Sequence, residues 1–266
     1  MKSFLAKLKG DKKNKSTTTT TTTKPTSTPV TSAPAPTTTT TTAAPAPAPA
    51  PSAAFIADMT EKSESFFQAI EGRRSYYALK PETTLTDAQL QSIVERAVKH
   101  TPTSFNMQHT RAVLVTKDVK NKVWDTIKEI KTKDETEDHA KATSEKIDNV
   151  FKAGYGTVLF FSDESVVNGW GNQMPMYAEA FKVWDAHASG MLHYNVWTAL
   201  ELEGHGANLQ HLAEGSEPIQ EGIRKVLGLP DSWHNSALLN FGVPAAPAGD
   251  KQFAPIEERV KVVTSA

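Results

Sequence analysis

The sequence predicts an α+β domain, a small sheet layered with helices, preceded by a stretch that builds no core. Three observations carry this expectation. Residues 1–54 differ sharply in composition from the rest. Beyond them only three runs have the β-branched, apolar character of strands. Between those runs lie many segments whose apolar residues recur at helical spacing, and few strands among many helices make an α+β layered arrangement. No internal repeat is visible.

The 266 residues include 29 basic and 30 acidic side chains and no cysteine. The near-neutral total hides two unlike pieces. Residues 1–54 hold seven lysines and one acid, Asp11, a net charge of +6, so residues 55–266 carry 22 basic against 29 acidic groups, or −7. That negative balance argues against nucleic acid as the partner of the folded part. Absence of cysteine removes disulfides, thiolate metal sites, iron–sulfur clusters and a cysteine nucleophile. No apolar run reaches the roughly 18–20 residues that span a bilayer.

Met1–Lys15 is short and basic and lacks the apolar centre of a secretory signal; without arginine enrichment it is also a poor mitochondrial presequence. From Ser16 to Pro51 the chain is rich in Thr and Ser and then alternates Ala and Pro, with half of the sixteen prolines in Pro25–Pro51. Such a segment has little to bury against the entropy of ordering it, so residues 1–54 are expected to be a disordered tail, its Ala-Pro part an extended spacer. Residues 55–266 are expected to form the folded domain.

Its elements follow in order. Asp58–Glu71 puts Met59, Phe66, Phe67 and Ile70 on one side of a helix ending near Gly72. Thr86-Asp-Ala-Gln89 is a capping box opening a second helix with the stripe Leu90, Ile93, Val94, Ala97, Val98. After a loop, Thr101–Gln108, the run Arg111–Thr116 reads as a buried strand, followed by charged helices near 118–131 and 135–152. Gly156–Phe161 is the next strand, and Gly154 and Gly156 at its entry are expected to serve turn geometry. Met176–Trp184 and Ser189–Leu202 read as two helices; the second, apolar nearly all round, suits a central or subunit-contact position. Gly204-His-Gly206 breaks it, short helices near Ala207–Leu212 and 218–227 follow, and Leu238–Gly242 is a third strand. Val260, Val262 and Val263 could add an edge strand.

Several chemistries find no support. His187/His193 and His205/His211 are each six apart, off a shared helix face, and no HExxH pair offers a metal site. Ser189 lacks the first glycine of a nucleophile elbow, and no phosphate-binding GxxxxGK[ST] loop occurs. Gly154-Tyr-Gly156 is half of a dinucleotide fingerprint and precedes a strand where that motif should follow one.

Three clusters do suggest binding. Arg73-Arg74-Ser75 offers two guanidinium groups and a hydroxyl, donors suited to a phosphate, although alone it also reads as a solvated helix end opposing the helix dipole. Thr101-Pro-Thr-Ser-Phe-Asn106-Met-Gln108 places hydroxyls and amides on a turn before a buried strand, or is simple turn chemistry. Gly204-His-Gly206-Ala207-Asn208-Leu209 leads glycines into an expected short helix whose free N–H groups could hold an anion, or is an inter-helix break.

Taken in this order the clusters resemble the nitroreductase family of flavin enzymes. The Arg-[Arg/His]-[Ser/Thr] step is Arg73–Ser75, the Pro-[Ser/Thr]-x-x-Asn-x-Gln loop is Pro102–Gln108, and the Gly-x-Pro strand end is Gly242-Val-Pro244. Arg-Arg-x-x-Tyr-Ala-Leu (Arg73–Leu79), Gly-Tyr-Gly-Thr-Val-Leu-Phe-Phe (Gly154–Phe161), Trp-Thr-Ala-Leu-Glu (Trp197–Glu201), Leu-Gln-His (Leu209–His211) and Phe-Gly-x-Pro-Ala (Phe241–Ala245) are similar to its fungal and bacterial subgroup named for fatty-acid repression. The resemblance covers about residues 64–255.

It implies a mixed or antiparallel sheet flanked by helices, in a homodimer with a long central interface helix and FMN held between the subunits. It further implies that Arg73 and Ser75, with Arg74 beside them, contact the flavin phosphate or ribityl chain. Asn106 and Gln108 would lie near the isoalloxazine ring, and Ala207, Asn208 and Leu209 would offer backbone groups along it. NADH or NADPH would be the electron donor and a nitroaromatic or quinone-like molecule, a small planar acceptor, the oxidant; oxidative-stress response would be the setting. Such chemistry needs no protein nucleophile or general base. Two departures stand out: Tyr77 replaces a lysine frequent in the family, and the basic phosphate ligand beyond the Gly-x-Pro strand has only Lys251 and Arg259 as candidates. A flavin-binding regulator of redox or lipid signalling with little turnover is the rival expectation. The cytoplasm is the expected compartment, with the nucleus also open to it.

Overall fold

The computed structural model describes residues 61–264; the Thr/Pro-rich stretch 1–54 and the expected first turn from Asp58 lie outside them. In chain order the elements are α1 (Glu61–Gly72), β1 (Leu79–Lys80), α2 (Asp87–His100), β2 (Thr110–Thr116), α3 (Lys117–Thr132), α4 (Glu137–Lys146), β3 (Gly156–Asp163), α5 (Glu164–Gln173), α6 (Ala178–Leu202), β4 (Gly206–Gln210), α7 (Glu217–Leu227) and β5 (Trp233–Pro244). Strands β1, β5, β3 and β2 neighbour one another in that order, and β4 pairs with β5. All of these ladders are antiparallel.

The sheet separates two apolar layers, as strand alternation requires. On one side Val115, Leu159, Phe161 and Leu238 meet Val123, Trp124 and Ile127 of α3 and Ile219 and Ile223 of α7. On the other, Val158, Phe160, Leu239 and Phe241 meet Leu90 and Val94 of α2 and Leu192, Val196 and Leu200 of α6. This is the expected α+β architecture, and the capping box at Thr86 is formed in full: its side chain accepts the Gln89 N–H, and Gln89 Oε1 accepts the Thr86 N–H at 2.9 Å. No helix among the described residues is long and apolar enough to cross a membrane.

Three local expectations need correction, and one helix goes unread in the sequence. Ala207–Leu212 is not a helix: Gly206–Gln210 is strand β4, in register with Gly242–Leu238. Gly204, at φ 85°, turns the chain there, and the open edge of β5 captures residues whose own propensity is ambiguous. The two helices expected between Met176 and Leu202 are the single 25-residue α6, because the Asp185–Gly190 stretch lies within a helix buried along Phe181, Ala188 and Leu192. Helix α5, unread in the sequence, is started by Asp163, whose Oδ1 accepts both the Ser165 N–H (3.2 Å) and hydroxyl (2.6 Å). Val260–Val263 forms no strand; that segment is irregular and exposed.

A bulge in the β3–β5 ladder re-aims one side chain. Phe160 pairs with Ala237 and Phe161 with Asn235, leaving Ser236 as the extra residue. Gln220 of α7 fastens the bulge, accepting the Asn235 N–H at 2.7 Å and donating to its carbonyl at 2.8 Å. The Ser236 hydroxyl then meets His193 Nε2 at 3.0 Å, while the imidazole lies 4.6 Å from the Phe160 ring. Burial, and secondarily the charge of His211, lowers the His193 pKa to about 4. An imidazole kept neutral by the fold costs nothing above the unfolded value of about 6.5. Below it the unfolded chain takes up a proton that the folded chain refuses. Stability is therefore lost as pH falls from about 6.5 to 4, by up to about 3 kcal/mol. Urea unfolding at pH 7 and pH 4.5 should show a smaller difference in His193→Gln than in the parent; equal differences contradict the assignment.

Candidate functional site

Helix α1 stops at Gly72, and the chain leaves it extended, carrying Arg73, Arg74 and Ser75 across the start of β4. Ser75 forms a parallel bridge with Ala207, and the Tyr76 N–H donates to the Ala207 carbonyl at 2.9 Å. Gly206 permits this approach: a Cβ there would stand 2.8 Å from both Cβ and Cγ of Tyr76. Asn208 Nδ2 donates to the Tyr76 carbonyl at 2.8 Å, and Glu201 Oε2 accepts the Arg74 N–H at 2.8 Å. The backbone on both sides of Ser75 is thus held by the end of α6 and by β4.

The guanidinium groups differ in their engagement. Arg73 stacks 4.3 Å over the Trp197 ring and lies 5.8 Å from that of Tyr194. Its Nη1 is buried without a hydrogen-bond partner. Arg74 Nη2 donates to the Gly249 carbonyl. Burial pushes the Glu201 carboxyl pKa up, against the Arg74 N–H, the Trp197 indole N–H and the two arginines, which favour its ionised form. Two guanidiniums beside one carboxylate leave a positive site, and a buried unpaired donor is costly unless a ligand meets it. An orphaned arginine N–H beside Arg74 and Ser75 fits a phosphate.

The second cluster is a strained loop. Phe105, Asn106 and Gln108 have φ of 53°, 52° and 51°, three of the four non-glycine residues with positive φ among the described residues. Such conformations cost about 1–3 kcal/mol each and persist where surroundings over-determine them. Here Gln108 N donates to Thr103 Oγ1 at 3.0 Å, and Arg111 Nη1 to the Gln108 carbonyl at 2.6 Å. His109, fully buried, places Nε2 2.8 Å from Asp185 Oδ1, and Asn195 Nδ2 reaches Thr101 Oγ1 at 2.8 Å. Helix α6 therefore secures both this loop and the arginine step. Asn106 and Gln108 stay exposed and line a cleft of about 500 Å³ with Thr103, Arg111 and Trp233.

The third expected cluster is placed differently. Because Ala207–Leu209 is strand, the anion site at a helix N-terminus does not exist there. Ala207 and Asn208 are fully buried, and the visible contribution of β4 is to carry the arginine step. Lys251 and Arg259, the candidates for a further basic ligand, lie on the exposed segment beyond β5.

Sequence reasoning missed two features. One is Glu201 with Trp197, noticed only as part of a motif, whose role needs the fold to bring it to residues 73 and 74. The other is an aromatic wall around the exposed Phe105 ring: Trp170 at 5.8 Å, Phe181 at 5.6 Å, Trp184 at 6.0 Å and Tyr177 at 6.5 Å between centroids. The density of aromatic residues between 170 and 184 was its only signal.

Within one chain these clusters do not converge: Arg73 lines one pocket with Glu201 and His205, while Asn106 and Gln108 line another. The positive step by itself offers the donors that a phosphate needs. The sequence model of the nitroreductase family matches residues 70–243. HBN1 of Saccharomyces cerevisiae is 36% identical over 192 residues, 71% of this chain and 93% of its own. The solved structure of the nitroreductase CinD from Lactococcus lactis, in complex with chloramphenicol, is 38% identical with a TM-score of 0.67, covering 75% of this chain and all of the other. The FMN-dependent nitroreductase NfnB from Mycobacterium smegmatis, in complex with NADPH, shares the fold at 13% identity and a TM-score of 0.59, covering 77% of this chain and all of its own. The chain belongs to the nitroreductase family, and that membership supports an oxidoreductase.

Proposed function

We propose that the protein is an FMN-dependent oxidoreductase that takes electrons from NADH or NADPH and delivers them to nitroaromatic or quinone-like acceptors. The observation that carries this reading is the buried, unpartnered Nη1 of Arg73 beside Arg74 and Ser75. Those three residues would hold the phosphate. Bound FMN would supply the hydride-accepting chemistry that no side chain here offers. The exposed Asn106 and Gln108 amides would orient the ring and oppose negative charge arising on it, since donors fixed in advance stabilise such charge best. Phe105 with Trp170, Tyr177 and Trp184 presents aromatic surface on which a planar acceptor can stack. The complexes of CinD with chloramphenicol and 4-nitrophenol support that acceptor class, and the NADPH complex of NfnB supports the donor.

The proposal includes a homodimer. Phe66 and Phe67 on α1, Met191 and Leu202 on α6, and Val260, Val262 and Val263 beyond β5 are large apolar groups exposed on one chain. These are the side chains that such a dimer would bury. The test of function is direct. Purified protein should be yellow, retain flavin through gel filtration, and be bleached by NADH or NADPH with recovery when a nitroaromatic is added. Protein that stays colourless after incubation with FMN overturns the reading. Bound flavin that neither nucleotide bleaches would assign the chain to the regulator class.

A further inference from the structure

Three polar side chains sit side by side on neighbouring strands: Thr157 on β3, Asn240 on β5 and Asn208 on β4. They are cross-strand partners in register and each is fully buried. Hydrogen bonds join them into one chain. Trp124 Nε1 of α3 donates to Thr157 Oγ1 at 3.0 Å, Thr157 Oγ1 to Asn240 Oδ1 at 2.9 Å, and Asn240 Nδ2 to Asn208 Oδ1 at 3.1 Å. Asn208 Nδ2 then donates to the Tyr76 carbonyl at 2.8 Å.

The direction of this chain is set at its origin. An indole N–H can only donate, so Thr157 must accept there and give its own proton onward, which fixes the Asn240 amide and in turn Asn208. Gln210 Nε2 also donates to Asn208 Oδ1, at 3.0 Å, so that oxygen receives two donors and the amide cannot flip. Among the described residues, the group outside the sheet that receives the result is the carbonyl of Tyr76, next to Ser75. The sheet itself does not require the network, because a matched apolar row would stabilise strand pairing as well as buried amides do.

We infer that Asn208 and Asn240 are positioning residues that hold the Arg73–Ser75 segment in the geometry that recognises the cofactor phosphate. This rests on the FMN reading above and deepens it. Beside the Tyr76 N–H on Ala207 and the Arg74 N–H on Glu201, the Asn208 bond is a further fixed point of the segment. Without it the Tyr76 carbonyl is left unpaired and the donors on residues 73 to 75 lose alignment to a phosphate, while Asn106 and Gln108 on the distant loop are untouched.

The test separates phosphate from ring recognition. Dissociation constants for FMN and for riboflavin, which lacks the phosphate, are measured by flavin-fluorescence quenching on the full chain. In the parent the preference for FMN reports the phosphate donors. Asn208→Leu should reduce that preference by about tenfold or more while moving the riboflavin constant by no more than about twofold. Should Asn208→Leu not fold, Thr157→Val, which keeps the shape and removes one hydroxyl, should reduce the preference by a smaller factor. An unchanged preference in the variant that folds, or an equal loss of both flavins, overturns the inference and leaves the FMN reading standing. A parent that binds neither flavin overturns both.

Discussion

Arg73→Ala should weaken FMN binding by roughly 10- to 100-fold, the largest single effect expected of any side chain at the site. A hydrogen bond between charged partners contributes about 1.5–3 kcal/mol, and the Arg73 Nη1 donor is already desolvated, so a phosphate meeting it avoids most of the usual cost. The guanidinium also stacks on Trp197, so the same substitution removes a contact between the end of α1 and α6. The two losses can be told apart. Stability measured without flavin reports the stacking, and the flavin titration reports the donor. Arg73→Lys sharpens the distinction, since an ammonium keeps the charge but neither stacks as a plane nor presents a fork; it should fall between parent and alanine. An alanine variant that binds FMN within about threefold of the parent would show that Arg73 only joins two helices.

That residue illustrates why the site was partly legible. Arg73-Arg74-Ser75 and Asn106-x-Gln108 are short, local patterns, and the chain keeps each of them contiguous, so their chemistry could be read before any fold was known. Their neighbours could not. Glu201 lies 127 residues from Arg74 and Asn208 lies 132 from Tyr76, and only the path of α6 into β4 makes them contacts. The fold shows the same division. The Arg111–Thr116 and Gly156–Phe161 strands and the capped helix α2 announce themselves by period and by capping residues. Strand β4 does not, because Ala-Asn-Leu-Gln has no strong local preference and its state is decided by the edge of β5. Helix α5 carries Asn168, Gly169 and Gly171, poor helix formers, and depends on the Asp163 cap and on packing of Val167.

Three glycines are small because chain segments pass close to them. Gly154 and Gly156 were expected to serve turn geometry, but neither has a positive φ. Each is small because another chain segment passes close by: a Cβ at Gly154 would lie 2.6 Å from the Phe241 carbonyl oxygen, and one at Gly156 would lie 2.5 Å from the Phe241 ring. Gly242 answers them from β5. A Cβ there would collide with the Lys80 carbonyl oxygen and stand 2.9 Å from Tyr155 N, both backbone atoms. Backbone held in a sheet cannot move aside as a flexible side chain can. Gly242→Ala should therefore destabilise the fold by about 3 kcal/mol or more, near the upper end for overpacking. For a domain of this size that is a fall in Tm of roughly 6–12 °C. Gly169→Ala, at a helical position with open space around its missing Cβ, should instead be neutral or stabilising by up to about 1 kcal/mol. A Gly242→Ala protein that melts with the parent would show that β1, β5 and the Gly154–Tyr155 segment are less closely packed than described. The expected loss would show that the Gly-x-Pro ending of β5 is constrained by backbone contact. That constraint also bears on function, because β5 carries β4, and β4 carries the arginine step.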